Sequence, residues 1–251
     1  MILEICVESL ESAKAAESGG AQRVELCAAL SEGGTTPSAG LISAVRDALT
    51  IPIYAMVRPR GGDFFYTADE YRIMREDVEE LKRRGVDGVV LGLLHKDGRI
   101  DVDRTRDLVQ LAYPLGVTFH RAIDWSPNME EALEQVVATG AERVLTSGGM
   151  QTAVQSTDRI RGLVTQAASR IQVMVCGRIR ESNIAEIAQK TGATEFHASL
   201  RRKTASPVTY RKPGLHLGDE GANEFARYEV SAEDVRALNH ALHNQNIPAA
   251  D

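Results

Sequence analysis

No apolar run in this 251-residue chain approaches the ~18 residues that would suggest a membrane span. Cysteine is scarce: there are three, none in a Cys-x-x-Cys pair, so a disulfide framework is not expected. The methionines form no Met-rich export motif. Positive charge is also short, with 29 Lys and Arg against 35 Asp and Glu, a net charge of −6. That balance argues against non-specific nucleic-acid binding, which needs a basic surface. Met1-Ile2-Leu3-Glu4-Ile5 reads directly as a strand, so a basic leader is not expected. Together with the unpaired cysteines, this makes the cytoplasm the expected location.

What the chain does have is a repeated cassette, a glycine, a small or polar pair, then a short apolar run. It reads Gly20-Ala21-Gln22-Arg23-Val24-Glu25-Leu26-Cys27, and again Gly85-Val86-Asp87-Gly88-Val89-Val90-Leu91-Gly92. It returns at Gly140-Ala141-Glu142-Arg143-Val144-Leu145-Thr146-Ser147 and at Gly192-Ala193-Thr194-Glu195-Phe196-His197-Ala198-Ser199, with a shorter form at Gly116-Val117-Thr118-Phe119-His120. A glycine that ends a helix, followed by a buried parallel strand, predicts a (β/α)8 or TIM barrel. The length suits one such domain over residues 1–251, since a complete barrel takes ~250. Strands are expected near Ile2–Val7, Arg23–Cys27, Ile53–Arg58, Gly88–Leu93, Val117–Arg121, Arg143–Ser147, Gln172–Cys176 and Glu195–Ser199. Thr67-Ala68-Asp69-Glu70 reads as a capping box opening a helix that buries Met74, Val78 and Leu81. Ser126-Pro127 reads as a cap followed by a first-turn proline. The last barrel helix is expected to open at Ser231 and end near His243. Between the eighth strand and that helix, Leu200–Glu229 is an extended segment, read as a surface loop, a lid or an oligomer contact.

Strand alternation then selects the residues that face the barrel axis. It places Glu4 and Cys6 inward from strand one, and Glu25 and Cys27 from strand two. Tyr54, Met56 and Arg58 follow from strand three, Thr118 and His120 from strand five. Met174 and Cys176 come from strand seven, and Glu195, His197 and Ser199 from strand eight. Charges at such positions are costly unless they pair, hold water or meet a ligand. The strand-end loops add Arg58-Pro59-Arg60-Gly61-Gly62-Asp63, His120-Arg121-Ala122-Ile123-Asp124 and Thr146-Ser147-Gly148-Gly149. The last of these offers backbone amides to an anion.

These residues also carry a resemblance. Leu3-Glu4-Ile5-Cys6, Arg23-Val24-Glu25-Leu26-Cys27, Ser31-Glu32-Gly33-Gly34-Thr35-Thr36-Pro37-Ser38 and Arg58-Pro59-Arg60-Gly61-Gly62-Asp63-Phe64 resemble the CutC copper-homeostasis family. So do Val117-Thr118-Phe119-His120-Arg121-Ala122, Arg143-Val144-Leu145-Thr146-Ser147-Gly148 and Ala193-Thr194-Glu195-Phe196-His197. The resemblance implies a TIM barrel, a cytoplasmic role in copper homeostasis, and association into homo-oligomers. It carries proposed Cu(I) ligands onto Cys6 and Cys27, whose soft thiolates suit that ion. One departure stands out: the family's glycine-rich turn after strand seven reads Cys176-Gly177-Arg178-Ile179 here. A glycine is lost and a positive charge gained.

An enzymatic alternative uses the same mouth. Glu4, Glu25, His120 and His197 would be catalytic acid and base groups. Arg58, Arg60, Asp63, Arg121, Asp124 and Ser147 would bind a small anionic metabolite, a phosphorylated one among the candidates. Lys14, Lys82, Lys96, Lys190, Lys203 and Lys212 all avoid inward positions, which argues against Schiff-base chemistry. Neither a nucleophile elbow nor a strand-borne His-x-His is present.

Overall fold

A computed structural model describes residues 1–212, 215 and 225–244. Eight parallel strands close into a barrel in chain order. They are β1 (Ile2–Val7), β2 (Arg23–Leu26), β3 (Ile53–Met56), β4 (Gly88–Leu91), β5 (Gly116–Phe119), β6 (Arg143–Thr146), β7 (Gln172–Val175) and β8 (Glu195–Ala198). Around them run α1 (Leu10–Ser18), α2 (Ala39–Ala48), α3 (Ala68–Arg83), α4 (Val102–Ala112), α5 (Met129–Thr139), α6 (Thr157–Ala167), α7 (Ile184–Thr191) and α8 (Ala232–His243).

Alternation sorts the strand side chains as the sequence predicts. Leu3, Ile5 and Val7 of β1 are fully buried in the apolar layer beneath the helices, with Val24 and Leu26 of β2. Glu4 and Cys6 are left facing the axis. Gly140 and Gly192 close α5 and α7 in the left-handed conformation, at φ 85° and 70°. A residue with a Cβ is strained there, so the cassette's glycine has a backbone cause.

Most strands stop earlier than expected. β3 ends at Met56 because the Arg58 amide donates to the Thr36 hydroxyl at 3.0 Å instead of to a neighbouring strand. The proposed cap at Ser126 is corrected. That residue ends a short 3-10 turn over Arg121–Trp125, and Asn128 caps α5 by accepting from the Glu131 amide at 3.0 Å. The segment after β8 is also more than a loop. Its ends form an antiparallel pair, β9 (Arg201–Ala205) with β10 (Ala226–Val230), while residues 213–214 and 216–224 lie outside the described residues. Arg202 faces Glu229, a pair of opposite charges, and Lys203 faces Tyr228, with no hydrophobic alternation to announce the ribbon.

The Thr67 capping box is present in full, and α3 buries Met74, Val78 and Leu81. Thr67→Ala should therefore cost about 1 kcal/mol of stability. Urea denaturation measures it, and an unchanged midpoint would mean the helix start is held by packing alone.

Candidate functional site: a charged barrel floor beneath a thiol, imidazole and carboxylate cluster

The lower barrel is closed by a charged network, not by aliphatic layers. Glu195, the first residue of β8, accepts from Arg23 Nη2 at 2.6 Å and from Arg143 Nε at 2.6 Å. Arg23 also pairs with Glu4. Arg143 reaches Glu142 at 2.8 Å and the Thr118 hydroxyl at 3.2 Å. Both guanidinium groups lie over the Tyr54 ring, 5.1 and 5.2 Å from its centroid, and Tyr54 donates its hydroxyl to Glu142 at 2.6 Å. Space for the ring comes from Gly88, where a Cβ would stand 2.2 Å from Tyr54 Cε1.

Sequence reasoning missed both arginines. They occupy the same cassette position, in Gly20-Ala21-Gln22-Arg23-Val24 and Gly140-Ala141-Glu142-Arg143-Val144, and that repetition was the available signal. The counter-charges of Glu4 and Glu195 are thus inside the barrel floor. Arg58 and Arg60, at the mouth, do not supply them.

Above this floor three donor types converge. Strand register pairs Glu4 with His197 and Cys6 with Glu25. One ligand atom each from Cys6, Glu25 and His197 lies within 4.8 Å of the others. Glu4 Oε1 meets His197 Nδ1 at 2.7 Å, which leaves Nε2 facing Glu25 Oε2 at 3.9 Å. A carboxylate that fixes Nδ1 and presents Nε2 is the usual outer support of a metal-binding imidazole. Glu25 Oε2 accepts from the Cys27 thiol at 3.5 Å, while Oε1 is buried with no hydrogen-bond partner among the described residues. Cys27 belongs to a small buried cluster with Tyr54, Met56 and Val90.

Barrel shear explains why Cys27 is one step removed. Cys6 pairs across to Glu25, so Cys27 stands a layer higher than its sequence position suggests. Cys27 remains within reach of the cluster through Glu25.

The electrostatics favour protons where no cation is present. Burial pushes the Cys27 thiol well up, and the Glu25 carboxylate adds to it. Burial likewise raises Glu25. For His197 burial opposes the charged ring, but Glu25, Cys6 and Glu4 together raise its pKa well above the ordinary value. Burial also works against the Glu4 carboxylate, and Arg23 followed by His197 outweighs it, holding that group low. A metal ion entering the cluster must therefore displace protons.

The remaining candidates are dispersed. Cys176 is buried and free, with its thiol raised by burial. Arg58 is buried and commits its guanidinium to the carbonyls of Glu32, Gly34 and Gly62 at 2.8, 2.8 and 2.6 Å. It braces two loops. Arg60 pairs with Glu70 at 2.5 Å and Asp63 at 3.2 Å on the outside of the mouth. His120 accepts from the Ala122 amide through Nδ1 at 3.2 Å, and burial followed by the Arg58 charge lowers its pKa to about 3. The ring is neutral near pH 7, with one nitrogen already occupied. Asp124 gathers the β6 turn: it accepts from Thr146 Oγ1 at 2.6 Å, the Gly149 amide at 3.0 Å, and Ser147 through both amide and hydroxyl. Those amides, expected to face an anion, serve Asp124 instead. Arg121 joins the same group through Asp124 at 2.8 Å and Ser147 Oγ at 2.7 Å.

Comparison with known proteins agrees with the residues that carry the resemblance. The model of the CutC family matches residues 1–202. A protein of Chromobacterium violaceum named as a family protein CutC is 51% identical over 241 residues, covering 96% of this chain and 98% of its own. A human protein named copper homeostasis protein cutC homolog is 43% identical over 239 residues, 95% of this chain and 88% of its own. The crystal structure of a CutC chain from Streptococcus agalactiae superposes with a TM-score of 0.75 at 34% identity, covering 78% of this chain and 97% of that one. The chain belongs to the CutC family.

Proposed function

We propose that this protein binds copper as Cu(I), within a reducing cytoplasm, as its part in copper homeostasis. The observation that carries the reading is the convergence of Cys6, Glu25 and His197 ligand atoms within 4.8 Å inside the barrel. Thiolate and imidazole are donors that Cu(I) favours, and the Cys27 thiol, 3.5 Å from Glu25 Oε2, adds soft sulfur beside them. Glu4 orients His197 for this task, and the partnerless Glu25 oxygen marks a place where a cation or a proton satisfies the cluster. The copper named for the human relative fits this donor set. Three buried, unpaired cysteines fit a reducing compartment.

Competition titration of the reduced protein against a Cu(I) chelator is the test. About one Cu(I) per chain is expected, and Cys6→Ser combined with Cys27→Ser should abolish binding. Cys176→Ser should leave the affinity close to wild type, because β7 adjoins neither β1 nor β2. Unchanged affinity in the double variant would retire Cys6 and Cys27 as ligands.

A further inference from the structure

The barrel mouth above β7 and β8 opens into a cavity of about 360 Å3, within the range of small-ligand pockets. Its wall is notable for charge of one sign. Arg121, Arg178, Arg180 and Arg201 all line it, and no aspartate or glutamate does. His197 and Ser199 form part of the same wall, and Tyr228 reaches in from the β9–β10 ribbon.

The four arginines are not equivalent. Arg121 is paired with Asp124. Arg201 is held by Glu8 at 2.8 Å and lies over the Tyr228 ring, 5.6 Å from its centroid. Among the described residues the Arg180 guanidinium donates only to the neighbouring Ile179 carbonyl, at 2.7 Å. Arg178 makes no side-chain hydrogen bond or ion pair among the described residues. Arg178 and Arg180, both exposed, are therefore free of a carboxylate, beside two arginines that already have one. Like charges gathered without counter-charge repel one another, and an anion removes that repulsion.

Backbone geometry adds a second, independent observation. Arg178 has φ 56°, in the left-handed region that favours glycine, directly after Gly177 at φ 99°. A Cβ on Gly177 would stand 2.8 Å from the Ser147 side chain, so the turn is tightly seated. The strained backbone places a long cationic side chain on the pocket wall where a glycine would be the relaxed choice. Strain of that kind persists where the surroundings hold it in place, and it gathers at ligand clamps.

We propose that this pocket binds the phosphate group of a small phosphorylated metabolite, with Arg178 and Arg180 as the anchoring pair. Guanidinium forks match phosphate oxygens two at a time, and a phosphate carries enough charge to answer several arginines at once. The loops after the seventh and eighth strands are also where barrels of this architecture commonly seat phosphates. The cavity volume leaves room for a compact organic body beside the phosphate. This site adjoins the proposed Cu(I) cluster and shares His197 with it, while Cys6, Glu25 and Cys27 lie outside its lining.

The test uses metal-free full-length protein and inorganic phosphate as the probe, so its outcome does not depend on copper. Calorimetric titration at constant ionic strength should show saturable binding at one site per chain. Phosphate should raise the melting temperature where chloride of equal ionic strength does not. Arg178→Gly combined with Arg180→Ala should weaken phosphate binding by about tenfold or more, the loss expected from charged hydrogen bonds. Glycine at 178 relieves the backbone strain, so loss of binding would not reflect loss of folding. Far-UV circular dichroism and the melting temperature without phosphate check that directly. Absence of saturable binding would overturn the proposal, as would equal affinity in the double variant. Acetate binding as tightly as phosphate would overturn it too, because the site would then be a general anion trap.

Discussion

Glu195→Ala is expected to lower the unfolding free energy by about 3–5 kcal/mol, the cost of removing one partner from a buried ion pair. The carboxylate bridges Arg23 and Arg143 at 2.6 Å each, and both guanidinium groups are more than nine-tenths shielded from solvent. Its removal leaves two buried cations facing each other, with Glu4 and Glu142 as their remaining carboxylates. Repulsion between the arginines would then act on the Tyr54 ring lying beneath both. Glu195→Gln should cost less, since the amide oxygen still accepts a hydrogen bond while the charge is lost. Urea unfolding followed by circular dichroism gives both values. A loss below about 1 kcal/mol for the alanine variant would show that water or a shifted side chain replaces the bridge. Arg143→Met in the Glu195→Ala background should recover part of the loss, because it withdraws one unpaired cation.

That network also shows what the sequence could and could not reveal. Alternation along β1, β2 and β8 was enough to turn Glu4, Cys6, Glu25 and His197 inward, because the residues flanking each of them on the strand are apolar. The repeated glycine cassette was enough to predict the barrel, since the glycines that end α5 and α7 need the left-handed backbone. Register is a different kind of information. Whether Cys6 stands beside Glu25 or Cys27 depends on the stagger that closes the barrel, and no single strand encodes it. The partners of Arg58 were equally hidden, because they are loop carbonyls of Glu32, Gly34 and Gly62 that carry no side-chain signature. Arg23 and Arg143 were legible in principle through their shared cassette position. Polar residues at strand starts are easily taken for solvent-facing caps. The β9–β10 ribbon pairs charged and aromatic side chains in a half-exposed layer, so hydrophobic periodicity had nothing to register.

His120 gives the clearest pH signature in the molecule. Its ring is buried against Phe64, with centroids 4.9 Å apart, and burial followed by the Arg58 charge lowers its pKa to about 3. In the unfolded chain the same imidazole titrates near ~6.5. Between those two values the unfolded state binds a proton that the folded state refuses. Stability from this group is therefore intact above ~6.5 and falls as the pH drops, until the folded ring protonates near the lower value. At about 1.36 kcal/mol per pH unit, roughly 2 kcal/mol should be lost by pH 5. His120→Gln removes the titration and keeps an acceptor for the Ala122 amide, which donates to Nδ1 at 3.2 Å. Unfolding free energies of both proteins at pH 7.5 and pH 5 isolate the effect, since every other titrating group is common to the two. The wild type should lose about 2 kcal/mol more than the variant over that interval. Equal losses would mean the folded ring accepts its proton as readily as the unfolded one, through opening of the pocket formed by Phe64, Phe119 and the Gly92 backbone.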